Sequence, residues 1–249
     1  MRLLAIETAT EACSVAVQVD GQVLERFEIA PRRHAELVLP WAGELLAEAG
    51  ISRSRLDAIA VGRGPGAFTG VRLAIALAQG MALALDVPLL PVSTLAVLAL
   101  RAPPSATHIL ASIDARMGEV YAGAFVRTGA GLAPLSAETV SAPQAVELPD
   151  MAARWHGVGT GFAAAERALA TRLQGRLEGV DAQALPHAAD LLALAAPAFA
   201  RGEGVAPELA EPAYLRNNVA LTLEQQQAAR DKAGPRDGSS TPGKRGQAR

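Results

Sequence analysis

Three strands at the very start constrain this chain more than any other feature. Leu3–Ile6 is apolar, and in Ser14–Val19 the valines at 15, 17 and 19 alternate with Ala16 and Gln18, the period of a half-buried strand. Asp20-Gly21 is a hairpin signal, and Gln22–Ile29 reads as the third strand. An antiparallel ribbon needs a cover. A helix is expected from about His34 to Ala49, with His34, Leu37, Val38, Trp41 and Leu45 on one stripe. Pro40 should kink or restart it, and Gly50 is its expected C-cap. Leu56–Val61 is a short strand that runs into the loop Gly62-Arg63-Gly64-Pro65-Gly66-Ala67-Phe68. Thr69 is suited to cap a helix reaching about Leu85. Val87–Val92 is the next strand, with Ser93 or Thr94 capping a helix after it. The first hundred residues thus read β-β-β-α-β-α-β-α.

The pattern then begins again. Arg101–Thr107, with Pro103-Pro104, is a boundary; His108–Asp114 and Val120–Val126 are strands around a turn at Ala115–Gly118. A weaker βα region contains His156-Gly157-Val158-Gly159-Thr160-Gly161, a helix is expected over Ala188–Ala200, and Glu211–Arg216 is extended because of Pro212. Arg230–Arg249 holds six basic and two acidic residues and no apolar face, so it is expected to be disordered.

Composition bounds the function classes. At 249 residues, half of them apolar and with mean hydropathy +0.20, the chain can build one large or two small cores. Alanine is about a fifth of the residues, far above ordinary usage, and favours close helix packing. The 23 basic and 25 acidic residues argue against gripping nucleic acid by bulk charge. Cys13 is the single cysteine, which excludes a disulfide framework and a multi-cysteine metal site and suits a reducing cytoplasm. Glu7 and Glu11 interrupt any leader at the N-terminus. The apolar region Val71–Leu100 is broken by Arg72, Gln79, Asp86, Pro88 and Pro91, so no membrane span is expected.

The chemical motifs are few. Gly62-x-Gly64-x-x-Ala67 fits a dinucleotide fingerprint, but it follows a fourth strand, not a first, and lacks the acid about 20 residues on. A Walker loop is excluded by the absence of Gly-Lys-[Ser/Thr]. Three glycines and a proline in five residues still exceed what a turn needs, so the loop has a conformational or contact role. The turn Glu7-Thr8-Ala9-Thr10 lies between two strands, as do the phosphate- and metal-holding hairpins of actin-like and sugar-kinase-like ATPases; an ordinary polar hairpin is equally consistent. Asp114-Ala115-Arg116 occupies the equivalent place in the second half. None of His34, His108, His156 and His187 pairs at i,i+4, so no helical two-histidine metal site exists. No Ser-centred nucleophile elbow is present, and Cys13 reads as a core residue.

Several blocks together resemble the TsaB family, formerly YeaZ. They are Ala5-Ile6-Glu7-Thr8-Ala9-Thr10-Glu11-Ala12-Cys13-Ser14-Val15-Ala16, Val61-Gly62-Arg63-Gly64-Pro65-Gly66-Ala67-Phe68-Thr69-Gly70-Val71-Arg72, Ile113-Asp114-Ala115-Arg116-Met117-Gly118-Glu119-Val120-Tyr121 and Pro212-Ala213-Tyr214-Leu215-Arg216-Asn217. The resemblance implies a two-lobed α/β fold of the actin/Hsp70/sugar-kinase class, each lobe RNase H-like with a mixed sheet flanked by helices. Residues 1–102 would be the first lobe, 103–222 the second, with room for the last helix to pack back on the first lobe, and 223–249 a tail.

It further implies a non-catalytic partner of the transferase TsaD in forming threonylcarbamoyladenosine beside the anticodon of ANN-decoding tRNAs. The ATPase TsaE joins them, tRNA is reached through the complex, and the protein self-pairs when TsaD is absent. The expected partner surface is His34, Leu37, Val38, Trp41, Leu45, Phe68, Thr69, Gly70, Arg72, Leu73, Ala74 and Ala78. Gly70, Ala74, Ala78 and Ala82 recur every fourth residue as a small-residue strip, so Leu37→Asp or Ala74→Arg is expected to abolish pairing without unfolding. A degenerate phosphate site would comprise Glu7, Thr8, Thr10, Asp114 and Arg116. No catalytic residue, metal or cofactor of its own is expected; ATP or ADP, where bound, would sit at the complex interface. The family usually opens on Asp, and the longer Glu7 would crowd a phosphate. An autonomous ATPase or kinase of the same fold, and a degenerate metallopeptidase, remain as alternatives.

Overall fold

The structure, a computed structural model, describes residues Met1–Arg216 apart from Ala130 and Met151. The expected tail, 223–249, and residues 217–222 lie outside the described residues. The sheet topology repeats once, although the second half has a strand, Thr139–Ser141, where the first has a helix, His34–Glu48. The first half runs β1 (Arg2–Glu7), β2 (Ala12–Val19), β3 (Gln22–Ile29), α1 (His34–Glu48), β4 (Ala58–Gly62), α2 (Phe68–Leu85), β5 (Leu89–Val92) and α3 (Thr94–Ala99). The second runs β6 (His108–Arg116), β7 (Glu119–Thr128), β8 (Gly131–Pro134), β9 (Thr139–Ser141), β10 (Trp155–Val158), α4 (Ala164–Leu173), β11 (Leu177–Asp181) and α5 (Ala188–Ala200). The strand orders match: β3-β2-β1-β4-β5 in one sheet and β8-β7-β6-β10-β11 in the other, with β9 also on β7. β1 is antiparallel to β2 and parallel to β4, and β6 is antiparallel to β7 and parallel to β10.

Central strands have no solvent face, and their residues divide between two cores. Leu4, Ile6, Val15, Val17, Ile59 and Val61 face α1 and α2. Their neighbours Leu3, Ala5, Ala16, Ala58 and Ala60 face α5. Four alanines on that second face let α5 lie close to the sheet, which is where the alanine excess acts. The last helix of each half crosses to the other: α5 packs on the first sheet, and α3 contributes Leu95, Leu98 and Ala99 to a core with Ile109, Ile113 and Phe125 of the second sheet. Leu169 and Leu173 of α4 pack on that sheet's outer face with Leu110, Val120 and Trp155. The layers therefore run helix, sheet, helix, sheet, helix, and the exchanged helices bind the halves into one apolar body.

Local signals explain most boundaries. Asp20 and Gly21 both have positive φ, as a two-residue hairpin of this hand requires. Gly50, at φ +69°, ends α1 in a Schellman arrangement: Ile51 N–H reaches the Leu46 carbonyl, and Gly50 N–H the Ala47 carbonyl. The helix runs through the exposed Pro40 without restarting. Thr69 is not the cap of α2: the helix begins one residue earlier, with Ala67 at the N-cap and no side-chain cap. Ser93 does cap α3, accepting from Ala96 N–H at 3.1 Å.

The N-terminus of α5 is capped from the other half of the molecule. Ser14 Oγ on β2 accepts from Ala188 N–H at 2.8 Å and donates to Glu25 at 2.7 Å. Glu25 on β3 accepts from Ala189 N–H and from His187 Nδ1, both at 3.1 Å. Phe27 stacks on the His187 ring at 4.0 Å. Burial works to raise the Glu25 carboxyl, but the hydrogen bonds from His187, Ser14 and Ala189 outweigh it and hold it below the usual glutamate range. Its contribution is therefore complete above about pH 4.5 and is lost as pH falls through the lowered value. Glu25→Gln should remove part of the loss of stability on acidification. Ser14→Ala should cost about 1–2 kcal/mol at neutral pH, by leaving Ala188 N–H unpaired. Urea unfolding at several pH values checks both; identical acid profiles for wild type and Glu25→Gln would refute the anchor.

Candidate functional site

The two turns singled out in the sequence close the ends of β1 and β6, the central strands of the two sheets. Glu7 is 1% exposed. Its Oε1 accepts from Ala9 N–H at 2.8 Å and its Oε2 from the Thr94 hydroxyl at 3.0 Å. Burial pushes this carboxyl up to about 7, against the pull of the Ala9, Thr94 and Thr8 hydrogen bonds. Its Oε1 takes up a hairpin amide that a phosphate would need, and its Oε2 is tied to α3. Thr8 donates to the Gly70 carbonyl at 2.8 Å, and Thr10 accepts from Ala12 N–H at 3.2 Å. His34 Nε2 lies 3.1 Å from the Thr10 carbonyl and 3.2 Å from that of Ala12, so it steadies the hairpin from α1.

The glycine-rich loop is built to receive this hairpin. A Cβ on Gly62 would meet Glu7 Oε2 at 2.0 Å, one on Gly66 the Ala9 carbonyl oxygen at 2.3 Å, and one on Gly70 the Thr8 carbonyl oxygen at 2.0 Å. Glycines at every fourth position here permit close backbone approach. Two of the loop's amides are engaged internally: Arg63 N–H donates to the Val92 carbonyl at 2.8 Å and Ala67 N–H to that of Ala9 at 2.7 Å.

The second turn also engages its own acid. Asp114 accepts from Arg116 N–H at 2.8 Å and from its guanidinium at 3.0 Å. Asp114 N–H donates to Thr160 Oγ1 at 3.1 Å, so the glycine-spaced segment after β10 supports this turn. Arg116 and Met117 are both left-handed, at φ 63° and 56°. Glu7, Thr8 and Thr10 are thus together, while Asp114 and Arg116 form a separate pair in the other sheet. Among the described residues no group of three or more His, Cys, Asp or Glu could hold a metal ion. Cys13 is fully buried, and desolvation pushes its thiol up to about 12.

The structure divides the residues expected at a partner surface. Val38, Leu45, Gly70, Ala74 and Ala78 are buried in this chain's own core and offer a partner nothing, which corrects that part of the reading. His34, Leu37, Trp41, Arg72 and Leu73 are half-buried, and Phe68 and Thr69 are exposed. The small-residue strip Gly70, Ala74, Ala78, Ala82 faces inward because the hairpin and sheet need it there. The outward stripe of α2 is Phe68, Arg72, Ala76, Gly80 and Leu83, with Phe68 63% and Leu83 64% exposed. Arg72 is the only charge on the helix. Its guanidinium lies 3.3 Å from the Phe68 ring centre and 5.0 Å from that of Tyr214, and donates to the Tyr214 hydroxyl at 2.9 Å. α2 is long and apolar enough to cross a membrane, but its inner stripe is a core face of the first sheet. Ala76, Gly80 and Leu83 escaped the sequence reading, although a nearly chargeless helix of 18 residues was their signal.

Two α/β lobes with duplicated sheet topology, exchanged last helices and an acid at the end of each central strand define the actin/Hsp70/sugar-kinase class of fold. Comparison with known proteins is specific within that class. The family described as "TsaD: tRNA N6-adenosine threonylcarbamoyltransferase" matches residues 26–223. The tRNA threonylcarbamoyladenosine biosynthesis protein TsaB of Escherichia coli is 45% identical over 231 residues, 88% of this chain and 96% of that one. The protein of the same name from Haemophilus influenzae is 38% identical, over 88% of this chain and 95% of its own length. The solved structure of YeaZ from Pseudomonas aeruginosa is 48% identical, superposes with a TM-score of 0.78, and is matched over 99% of its chain and 86% of this one. The chain belongs to the TsaB family.

Proposed function

We propose that this protein acts in threonylcarbamoyladenosine biosynthesis as a non-catalytic partner of a TsaD-type transferase, docking through the outer face of α2. The exposed, nearly uncharged stripe Phe68–Leu83 carries this reading. Exposed apolar surface of that kind marks an interaction site. Ala76 and Gly80 at its centre let another helix approach closely; the space outside Gly80 is open. The two relatives named TsaB support the pathway.

The internal bonding of Glu7 and of Asp114 supports a role without chemistry of its own and without an independent nucleotide. On this reading any nucleotide sits between the partners, TsaE joins the pair, tRNA is met through the complex, and the same face pairs two copies when the transferase is absent. The lobes are read as 1–102 and 103–222, and the setting as cytoplasmic.

Reconstitution tests it. Threonylcarbamoyl transfer to tRNA by TsaD, TsaE and the adenylate-forming synthase should require this chain, and the isolated chain should bind no Mg-ATP at micromolar concentrations in titration calorimetry. Equal modification without the chain would overturn the proposal. Tight binding with steady turnover by the chain alone would favour an autonomous ATPase.

A further inference from the structure

Arg63 begins the glycine-rich loop and is held from three directions. Its N–H is bound to β5 through Val92, and its carbonyl accepts from Ala213 N–H at 2.8 Å. Its guanidinium lies 3.5 Å from Glu138 Oε2. Glu138 stands in the connection between β8 and β9, so it belongs to the second sheet, yet its side chain reaches the first. It is only 14% exposed there. Its other oxygen accepts the hydroxyl of Ser93, which also caps α3 where that helix leaves the first sheet for the second.

One carboxylate therefore joins three parts: a loop of the second sheet, the start of the exchanged helix and the first residue of the glycine-rich loop. From Arg63 only Gly64-Pro65-Gly66-Ala67 remain before α2 begins at Phe68. Gly64 is left-handed at φ +89° and Gly66 has backbone packed against Ala9, so the segment has little freedom once its first residue is fixed. Gly64 also receives Thr94 N–H on its carbonyl at 2.9 Å, next to Ser93.

We propose that Glu138 is a positioning residue that couples the second sheet to the glycine-rich loop and so sets the pose of Phe68 and Arg72 at the docking end of α2. This rests on the reading of the α2 outer face as the partner surface. A partly buried carboxylate with a hydroxyl donor and a guanidinium is suited to such a tie, because each bond is directional and both depend on the same side chain. Displacement of the 135–138 loop, by tRNA or by another subunit, would then be felt at the partner surface.

Hydrogen exchange of the free, full-length chain tests the tie without any partner. Glu138→Ala should raise exchange of amides 63–71 about tenfold and leave α1 and β10 unchanged. Glu138→Gln keeps an acceptor for Ser93 and loses the charge facing Arg63, so it should give an intermediate effect even if the alanine variant folds poorly. Arg63→Met with Glu138→Gln should be no worse than the more severe single change, since both remove one bond. Titration with the TsaD-type partner should show about fivefold weaker binding for Glu138→Ala. Unchanged exchange over 63–71 would overturn the proposal, as would faster exchange with unaltered partner affinity. If wild type fails to pair at all, the docking reading falls by itself, and the exchange result still judges the tie.

Discussion

Ala74→Arg is expected to leave little folded protein, not to create a folded chain that cannot pair. Ala74 has no exposed surface and lies in the core between α2 and the first sheet. An arginine there adds a long side chain to a filled space and an unpaired charge to an apolar one, and either fault alone is severe. The combined cost should exceed about 4 kcal/mol, a large part of the roughly 5–15 kcal/mol stability of an ordinary domain. Ala76→Glu with Leu83→Lys, two and nine residues further along the same helix, should by contrast change stability by less than about 1 kcal/mol, because both positions are exposed. The double variant should abolish pairing with a TsaD-type partner. Circular dichroism melting and co-elution in gel filtration separate the outcomes. A well-folded Ala74→Arg chain that merely fails to pair would restore the inward strip as the docking face.

Glu7 should make the protein less stable as pH rises through neutrality. Its carboxyl is pushed up to about 7 by burial, above the ordinary 4.5. The folded state therefore holds a proton that the unfolded chain has already released. Stability falls between those values, by an amount of order 3 kcal/mol, and is level above them. Glu7→Gln should flatten that slope and unfold at higher urea concentration than wild type at pH 8. Glu7→Ala should be worse than Glu7→Gln at every pH, since it strands Ala9 N–H and the Thr94 hydroxyl in the core. If Glu7→Gln proves weaker than wild type at pH 8 as well as pH 5, the carboxylate is a stabilising anion and the assignment fails. Glu25 acts in the opposite sense at lower pH, so its anchor weakens on acidification below about 4.5, whereas the Glu7 contribution is lost as pH rises from about 4.5 to about 7.

Much of the fold was legible locally. The order β-β-β-α-β-α-β-α, the Asp20-Gly21 turn, the Gly50 helix end and α5 over Ala188–Ala200 follow from side-chain period, capping and positive-φ preferences, which neighbouring residues fix. The cluster of Gly62, Gly64 and Gly66 announced a contact role, although nothing in one sequence says that the contact is the Glu7–Thr10 hairpin. Thr69 misled because a good capping residue one position inside the helix is locally indistinguishable from one at its end; the Ala67–Ala9 hydrogen bond decided the matter.

The site was legible as a set of residues and not as an arrangement. The sequence by itself determined the element order of the first half, the restart of the pattern at His108, the family, and two acids at equivalent turns. Period alone cannot say which side of a helix meets its own sheet when both sides are apolar. In α2 the tertiary structure turned Gly70, Ala74, Ala78 and Ala82 inward, where the Thr8 carbonyl leaves no room for a Cβ at Gly70, and left Phe68, Ala76, Gly80 and Leu83 outside. It alone brought Thr94 onto Glu7, Glu138 onto Ser93 and Arg63, and Glu25 onto the start of α5. These pairs lie far apart along the chain, and no local preference encodes them. Two of them arise because the halves exchange their last helices, which places Glu138 of the second half at the start of α3 and Glu25 of the first at the start of α5.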